Sequence, residues 1–456
     1  MKILYITNGY KPYRWAGTET YTAGIAEEIA KRGHQVEVIC IGEWEKGDRY
    51  WNGVTEDIQN DIRVRRINLN WEKSPDPFRY LYNNPEVAQY LKAILDEVKF
   101  DLVHVISCET LSASIFQVVK NAGLPLVFSL TDFWMICPRI TLLHSNGSNC
   151  SGNTTPEECI ACMLRNSGFY HNAREFLPEK VLLPVLSRFS RYSFISRKRG
   201  LRGWAGNMAE RKQMLKHALT LPDCRITASN FVREVFISNG VTAPILVEPY
   251  GHDLGWLNSY TGKSDSDLLR LGYIGQIIGA KGVHLILQAL ALLPKDCQER
   301  VSVVIYGNVD HIPSYGEKIK NLASGLPNIR FGGTYQHAES ARIYSEIDIL
   351  MVPSLWFDFP LIIYEAFASQ TPVVATNLGG MAEAVSPGKN GLLFERGNAE
   401  DLAMQIQRLL DEPGLLEKLR RGIPEVRTVQ DEVDTLENKY LELISELNTP
   451  FSGTEV

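Results

Sequence analysis

The sequence predicts an α/β protein built from two doubly wound domains. Three observations carry that expectation. Short apolar runs alternate with amphipathic helical segments at both ends of the chain, the alternation starts afresh near residue 268, and 456 residues exceed what one hydrophobic core usually serves.

The first series opens with Ile3-Leu-Tyr-Ile6, a strand ended by Asn8-Gly9. Thr18 is expected to cap the helix that follows, with Glu19 in its first turn. Tyr21, Ile25 and Ile29 recur at four-residue spacing, Lys31-Arg32 occupy the last turn, and Gly33 stops it. Val36–Ile39 is the next strand, which completes a β-α-β unit and opens a parallel sheet. Further strands are expected at 102–106, 125–130, 225–228 and 245–248. The second series runs from strand Leu268–Ile274 through a glycine loop to a helix over 282–293. It continues with strands Val301–Tyr306 and Ile347–Val352, a helix over 361–369, strand Pro372–Ala375, and a helix opened by Gly379-Gly380. The expected organisation is two Rossmann-like domains, 1–255 and 256–428, facing a central cleft, with an amphipathic helix and tail over 429–456. Ligands of such sheets bind at the carboxyl ends of the strands.

Charge and hydropathy narrow the function. With 47 basic and 53 acidic residues the net charge is −6, which speaks against a nucleic-acid partner. No window reaches about 18 uninterrupted apolar residues, and the apolar run at Met1–Thr7 is too brief for a signal-peptide core. A cytoplasmic location is expected.

Two segments carry site chemistry. From Leu268 the chain reads LLRLGYIGQIIGAKGVHLILQAL, so Lys281 sits between a glycine-rich turn and a helix. Free backbone N–H groups at a helix start, with an ammonium beside them, suit a diphosphate; a plain strand–helix turn with a surface lysine is the competing reading. The intervals between Gly272, Gly275 and Gly279 do not match the dinucleotide fingerprint, and Gly262-Lys263-Ser264 lacks the first glycine of the Walker pattern. The second segment, PSLWFDFPLIIYEAFASQTPVVATNLGGMAEAVS over Pro353–Ser386, places Pro360 in the first turn of a helix and Glu365 inside it. A carboxylate there is costly unless it accepts hydrogen bonds. A pair of ribose hydroxyls would supply them, as would a neighbouring loop.

These segments resemble the retaining nucleotide-sugar glycosyltransferases of family 4 (glycosyl transferases group 1), which have the GT-B fold. The likeness runs through Gly17 with Glu19, Arg32-Gly33-His34, Ala228-Ser229 with Phe231-Val232, Gly275 with Lys281-Gly282, Pro353-Ser354, Glu365-Ala366, Pro372–Ala375, Gly379-Gly380 with Glu383, and Asn390-Gly391. The resemblance implies transfer of a sugar from a nucleotide-diphosphate donor to a glycan or lipid-linked acceptor, most often in polysaccharide biosynthesis, with no metal needed for the chemistry. It implies that Lys281 binds the donor diphosphate with Gln276 beside it, and that Glu365 holds the ribose. Asp358, Phe359, Pro360 and Leu361 would meet the sugar and phosphate through their backbone. Gly17 and Thr18 would bring the first loop to the phosphates, and Gly307 with the Arg330–Gly332 strand end would border the base. Lys281 and the helix starts would stabilise the leaving diphosphate, and Asp132 and Asp358 are the carboxylates nominated beside the sugar. The chain departs from the family pattern at Phe357, where a glutamate is common, at Gln276, where an arginine is common, and at Thr131, where a histidine is expected. Two other readings stay open on sequence: a non-catalytic nucleotide-sugar-binding protein, motivated by Phe357 and Thr131, and a nicotinamide-dependent oxidoreductase, motivated by the doubly wound pattern alone.

Two insertions stand apart in the N-terminal domain. Cys137, Cys150, Cys159 and Cys162 fall within 137–162 and end in Cys-x-x-Cys, the tight bite of a tetrahedral metal site. Structural zinc is the leading reading, with two disulfides or free thiols as the others. From Lys180 to Ala209 there are seven basic residues and no acidic one, interleaved with aromatics such as Phe189, Tyr192 and Trp204. That mixture points to an anionic membrane surface or a polyprenyl-diphosphate acceptor, or to a solvated helix face.

Overall fold

The computed structural model describes residues 1–14, 16–165, 167–190, 192, 206–356 and 361–448. The chain forms two compact units, Met1–Tyr250 with the segment from Val429 onward, and Gly251–Thr428. The division falls at Tyr250/Gly251 rather than at 255/256, and the C-terminal helix returns to the first unit instead of standing alone.

In the first unit the described strands are β1 (Lys2–Ile6), β2 (Gln35–Ile41), β3 (Trp51–Gln59), β4 (Ile62–Leu69), β5 (Leu102–Val105), β6 (Leu126–Ser129), β7 (Cys224–Thr227) and β8 (Leu246–Val247). They form one sheet in the order β3-β4-β2-β1-β5-β6-β7-β8. All neighbours are parallel except β3 and β4. The parallel strands are near-continuous apolar runs because helices cover both faces; Ile3, Leu4 and Tyr5 are fully buried. The β3–β4 hairpin was not expected from sequence. Its outer strand, WNGVTEDIQ, is half exposed and mostly polar. Its turn, Asn60-Asp61, takes positive φ at both residues, the primed-turn geometry that matches the twist of a hairpin.

The second unit holds β9 (Leu269–Ile274), β10 (Val301–Tyr306), β11 (Ile329–Gly333), β12 (Ile349–Val352), β13 (Val373–Thr376) and β14 (Gly391–Phe394). All are parallel, in the order β11-β10-β9-β12-β13-β14. Each sheet therefore winds outward in two directions from a central pair. That pair is β1/β5 in the first unit and β9/β12 in the second. The crevice above such a pair is left open by the diverging connections, which is why open α/β sheets bind ligands there.

Helix Gly17–Lys31 buries Tyr21, Ile25 and Ile29 as the four-residue spacing requires, and Gly33 ends it at φ 88°. Thr18 is not its cap. The helix starts one residue earlier, with Ala16 at the N-cap and no side-chain hydrogen bond there, while the Thr18 carbonyl accepts from Thr22 Oγ1 at 2.7 Å. Helix Val429–Asn448 packs into the first core through Val433, Leu436, Tyr440 and Leu443. Its polar anchors are specific. Tyr440 Oη lies 2.6 Å from His104 Nδ1 and 3.2 Å from Tyr5 Oη, and Tyr21 donates to Glu432 at 2.8 Å. Burial lowers the His104 pKa to about 3, so the imidazole is neutral in this network. Among the described residues, no helix is long and apolar enough to cross a membrane.

Leu436→Ala should destabilise the first unit by about 2–5 kcal/mol through the cavity it leaves. Urea unfolding followed by tryptophan fluorescence measures it.

Candidate functional site

In the second unit the sequence after β9 and the sequence after β12 meet. β9 runs into the turn Gly275–Ile278, a short 3-10 turn Gly279–Lys281, and helix Val283–Leu292. Gly282 joins the last two at φ 72°, and a Cβ there would strike the carbonyl of Pro353, just past β12. The two loops lie back to back, and the Leu355 N–H donates to the Ala280 carbonyl at 2.8 Å. Lys281 is thus held on the β12 side, with Nζ 5.3 Å from the centre of the Trp356 ring. Burial lowers its pKa from 10.5 to about 8.

Glu365 lies on helix Leu361–Ala368, which follows β12. Among the described residues Tyr344 is its one hydrogen-bonding side chain, and that bond is long, 3.4 Å to Oε2. Tyr344 is fully buried and stacked on Trp256, so it is a fixed partner. Burial raises the Glu365 pKa, while His337 and the Tyr344 hydroxyl pull it down and Asp253 raises it further. A desolvated carboxylate with one weak bond retains acceptor capacity, which a vicinal diol can fill.

The strand ends beside Lys281 are laced by backbone. The Gly275 N–H donates to the Tyr306 carbonyl at 3.1 Å and the Gly307 N–H to that of Gly333 at 2.9 Å. Gly307 sits at φ 147°, where a Cβ would strike the Gly275 carbonyl, so the rim stays free of side chains at this point. Gln276 is exposed on the turn, with its carbonyl taken by Tyr273 Oη. Arg330 stands near the start of β11 rather than at its end. It pairs with Glu346 at 2.8 Å and lies over the Tyr306 ring. Leu361 is the first residue of its helix. Asp358, Phe359, Pro360 and the variant Phe357 lie outside the described residues.

In the first unit a second polar cluster forms at the ends of β5 and β6. Ser107, Glu109, Thr131 and Asp132 line one pocket there. Asp132 accepts from the Trp134 N–H at 2.8 Å, and desolvation raises its pKa to about 6. Glu109 was not singled out by its sequence. Desolvation first, then the neighbouring Asp132, raises its pKa to about 7, against the opposing pull of Arg14 and Arg211. Ser107 Oγ is buried in the same pocket and has no hydrogen-bond partner among the described residues. Arg211 is buried below it, donates to the Trp134 carbonyl and lies over the Trp134 ring, with its pKa lowered to about 10 by burial. The loops after β1 and β5 are tied by Asn8, whose Oδ1 accepts from both the N–H and hydroxyl of Thr110. Gly17 and Thr18 lie farther along the β1 connection, at the uncapped helix start.

The four cysteines nominated for zinc come together in the first unit. Cys137, Cys150, Cys159 and Cys162 do line one pocket, with His144. All four are free thiols. Among the described residues no three His, Cys, Asp or Glu side chains form a group able to hold a metal ion. Three of the sulfurs have local hydrogen-bond donors beside them. The Cys137 thiol faces the N–H groups of Arg139 and Leu142, Cys150 Sγ accepts from the Gly152 N–H at 3.4 Å, and Cys159 Sγ lies 3.1 Å from Thr154 Oγ1.

Comparisons with known proteins agree with this arrangement. Residues 261–426 match the family profile of the glycosyl transferases group 1, and residues 16–153 that of a glycosyl transferase 4-like domain. A D-inositol 3-phosphate glycosyltransferase of Corynebacterium aurimucosum is 36% identical over 146 residues, 31% of this chain and 35% of that enzyme. The chain thus spans about a third of the length of that curated relative. Among solved structures, the sucrose-phosphate synthase of Thermosynechococcus elongatus superposes with a TM-score of 0.65 at 18% identity, covering 98% of this chain and 99% of that one. Anabaena HepE, solved with UDP, gives 0.62 at 16% identity, covering 98% and 100%. The same protein has been solved with UDP-glucose. At these identities the likeness is one of fold.

The carboxyl pocket yields a stability prediction. A carboxyl whose folded pKa is about 7 against an ordinary 4.5 binds more protons in the folded state between those values. Its contribution is therefore present at low pH and lost as pH rises toward 7. Glu109→Gln should make the fall in stability from pH 5 to 7 shallower and leave the variant more stable than the parent at about pH 8. Urea unfolding across that range checks it.

Proposed function

Because the chain belongs to the group 1 glycosyl transferases of family 4, we propose that it moves a sugar from a nucleotide-diphosphate donor to a glycan or lipid-linked acceptor, with retention at the anomeric carbon. The observation that carries this reading is that Lys281 follows β9 and Glu365 lies on the helix that follows β12, the strand beside β9 in the sheet. One group suits a diphosphate and the other a ribose diol, and they follow the two strands between which a parallel sheet opens its ligand crevice. The tandem family domains and the fold support it.

In the proposed chemistry the bond from the anomeric carbon to the diphosphate oxygen breaks as the acceptor oxygen bonds to the same carbon. The acceptor proton passes to the departing phosphate oxygen. Lys281 and the start of helix Val283–Leu292 stabilise the charge that develops there, a role fixed charges and dipoles fill without reorganising. Glu365 positions the nucleoside. Asp132 and Glu109 take the acceptor side in this reading. With its pKa raised to about 7, Glu109 is partly protonated at neutral pH while Asp132, at about 6, is mostly ionised, so the pocket can both donate and accept toward sugar hydroxyls. That capacity would offset the loss of a histidine at Thr131. Uridine donors are the first to try, since fold neighbours were solved with UDP and UDP-glucose. A lipid-linked acceptor would place the enzyme at the cytoplasmic face of a membrane.

The test is mass-spectrometric detection of donor hydrolysis, water standing in for the acceptor, across UDP-, GDP-, ADP- and dTDP-sugars. One donor should be hydrolysed, and Lys281→Ala should slow that hydrolysis by about 100-fold or more, the scale of a lost transition-state donor. Donor binding without hydrolysis, persisting with acceptors supplied, would favour the non-catalytic reading. Affinity for the nucleoside diphosphate should also weaken as pH rises through about 8, where the Lys281 ammonium loses its proton. Calorimetric titration at several pH values checks that.

A further inference from the structure

We infer that helix Glu179–Ser190 is an interfacial element that lays an exposed apolar row into an anionic lipid surface. Val181, Val185 and Phe189 recur every four residues and are 51%, 40% and 50% exposed, and Leu177, 43% exposed, lies just before the helix. They form one stripe along the helix. Phe176 and Tyr192 flank its two ends, 83% and 51% exposed. The opposite face is already occupied. Leu182 is buried, and Ser187 is buried and donates to Glu157 at 2.7 Å on helix Pro156–Leu164. The stripe is therefore the outer face of a docked helix, not a core face turned the wrong way.

Charge decides what covers it. A second exposed row, Lys180, Pro184 and Arg188, runs alongside the apolar one at the same spacing. The helix's carboxylate is turned aside, since Glu179 accepts from Tyr170 at 2.7 Å and faces Arg174. In sequence the bases continue, and no acidic residue appears before Glu210. A cationic row beside a single apolar row is the pattern of a helix lying in the headgroup plane, where long basic side chains reach phosphates while the apolar row enters the acyl boundary. Each base adds attraction to an anionic leaflet. The chain as a whole is acidic, at −6, so this attraction is local rather than a property of net charge. The inference deepens the lipid-linked-acceptor reading and rests on it for its biological sense, but its test reads lipid binding and not turnover.

The experiment is sedimentation of the full chain with vesicles of phosphatidylcholine alone or mixed with anionic phosphatidylglycerol. The parent should pellet with the anionic vesicles, and raised salt should weaken this. Val185→Glu with Phe189→Glu should lower the partition coefficient at least about tenfold, the scale of two apolar side chains withdrawn. Lys180→Glu with Arg188→Glu should lower it similarly and flatten the salt dependence. All four positions are exposed, and an unchanged urea-unfolding transition of the first unit would report an intact fold. No pelleting of the parent, or pelleting of the variants like the parent, would overturn the inference. So would a parent dimer that Val185→Glu with Phe189→Glu turns into a monomer without any lipid binding. Vesicle binding that survives while no donor is hydrolysed would leave the surface standing and remove the catalytic reading.

Discussion

Pairing of β9 with β12 places residues separated by more than eighty positions into one crevice. Ile349 opposite Leu271 and Leu350 opposite Gly272 set the register. From there geometry follows with little freedom. The turn after β9 has to pass against the chain leaving β12, and Gly282 is what lets it, because any side chain there would meet the Pro353 carbonyl. The Leu355–Ala280 hydrogen bond then ties the turn that carries Lys281 to the chain leaving β12. A parallel sheet that wound in one direction only would have covered this point with a crossover.

Electrostatics makes the same site receptive. Burial pushes the Lys281 pKa down and the Glu365 pKa up, so both groups resist their charged forms in the empty crevice. A ligand that brings negative oxygen to the lysine and hydroxyl donors to the glutamate would reverse both shifts. Its binding would then be linked to proton uptake by one group and release by the other. The first unit repeats the principle with a different outcome. There two carboxyls share a pocket with a serine hydroxyl that has no hydrogen-bond partner among the described residues, and burial raises their pKa values to about 6 and about 7.

Much of this was legible in the residues. Buried parallel strands are continuous apolar runs, so β1, β10 and β12 stand out, and Lys281 and Glu365 stand out as charged residues beside glycine or inside an apolar helix. The β3–β4 hairpin did not, because a half-exposed edge strand with a polar turn carries no such run. Helix Val429–Asn448 was legible as a helix, but its return to the first unit was not, since amphipathicity names a buried face and not the surface that buries it. Glu109 is an acid just past a strand; only the pairing of β5 with β6, Val105 opposite Phe128, brings it to Asp132. The cysteine spacing reports how far thiols can reach. It does not report the threonine hydroxyl and backbone N–H groups that stand beside the sulfurs.

The central claim is that Lys281 and Glu365 hold opposite ends of one nucleoside diphosphate. Its most direct test is a crystal structure of the full chain with the tightest-binding nucleoside diphosphate. The account predicts a diphosphate oxygen within hydrogen-bond distance of Lys281 Nζ and both ribose hydroxyls on the Glu365 carboxylate. A nucleotide seated elsewhere, or bound in this crevice with its ribose turned away from Glu365, would contradict it.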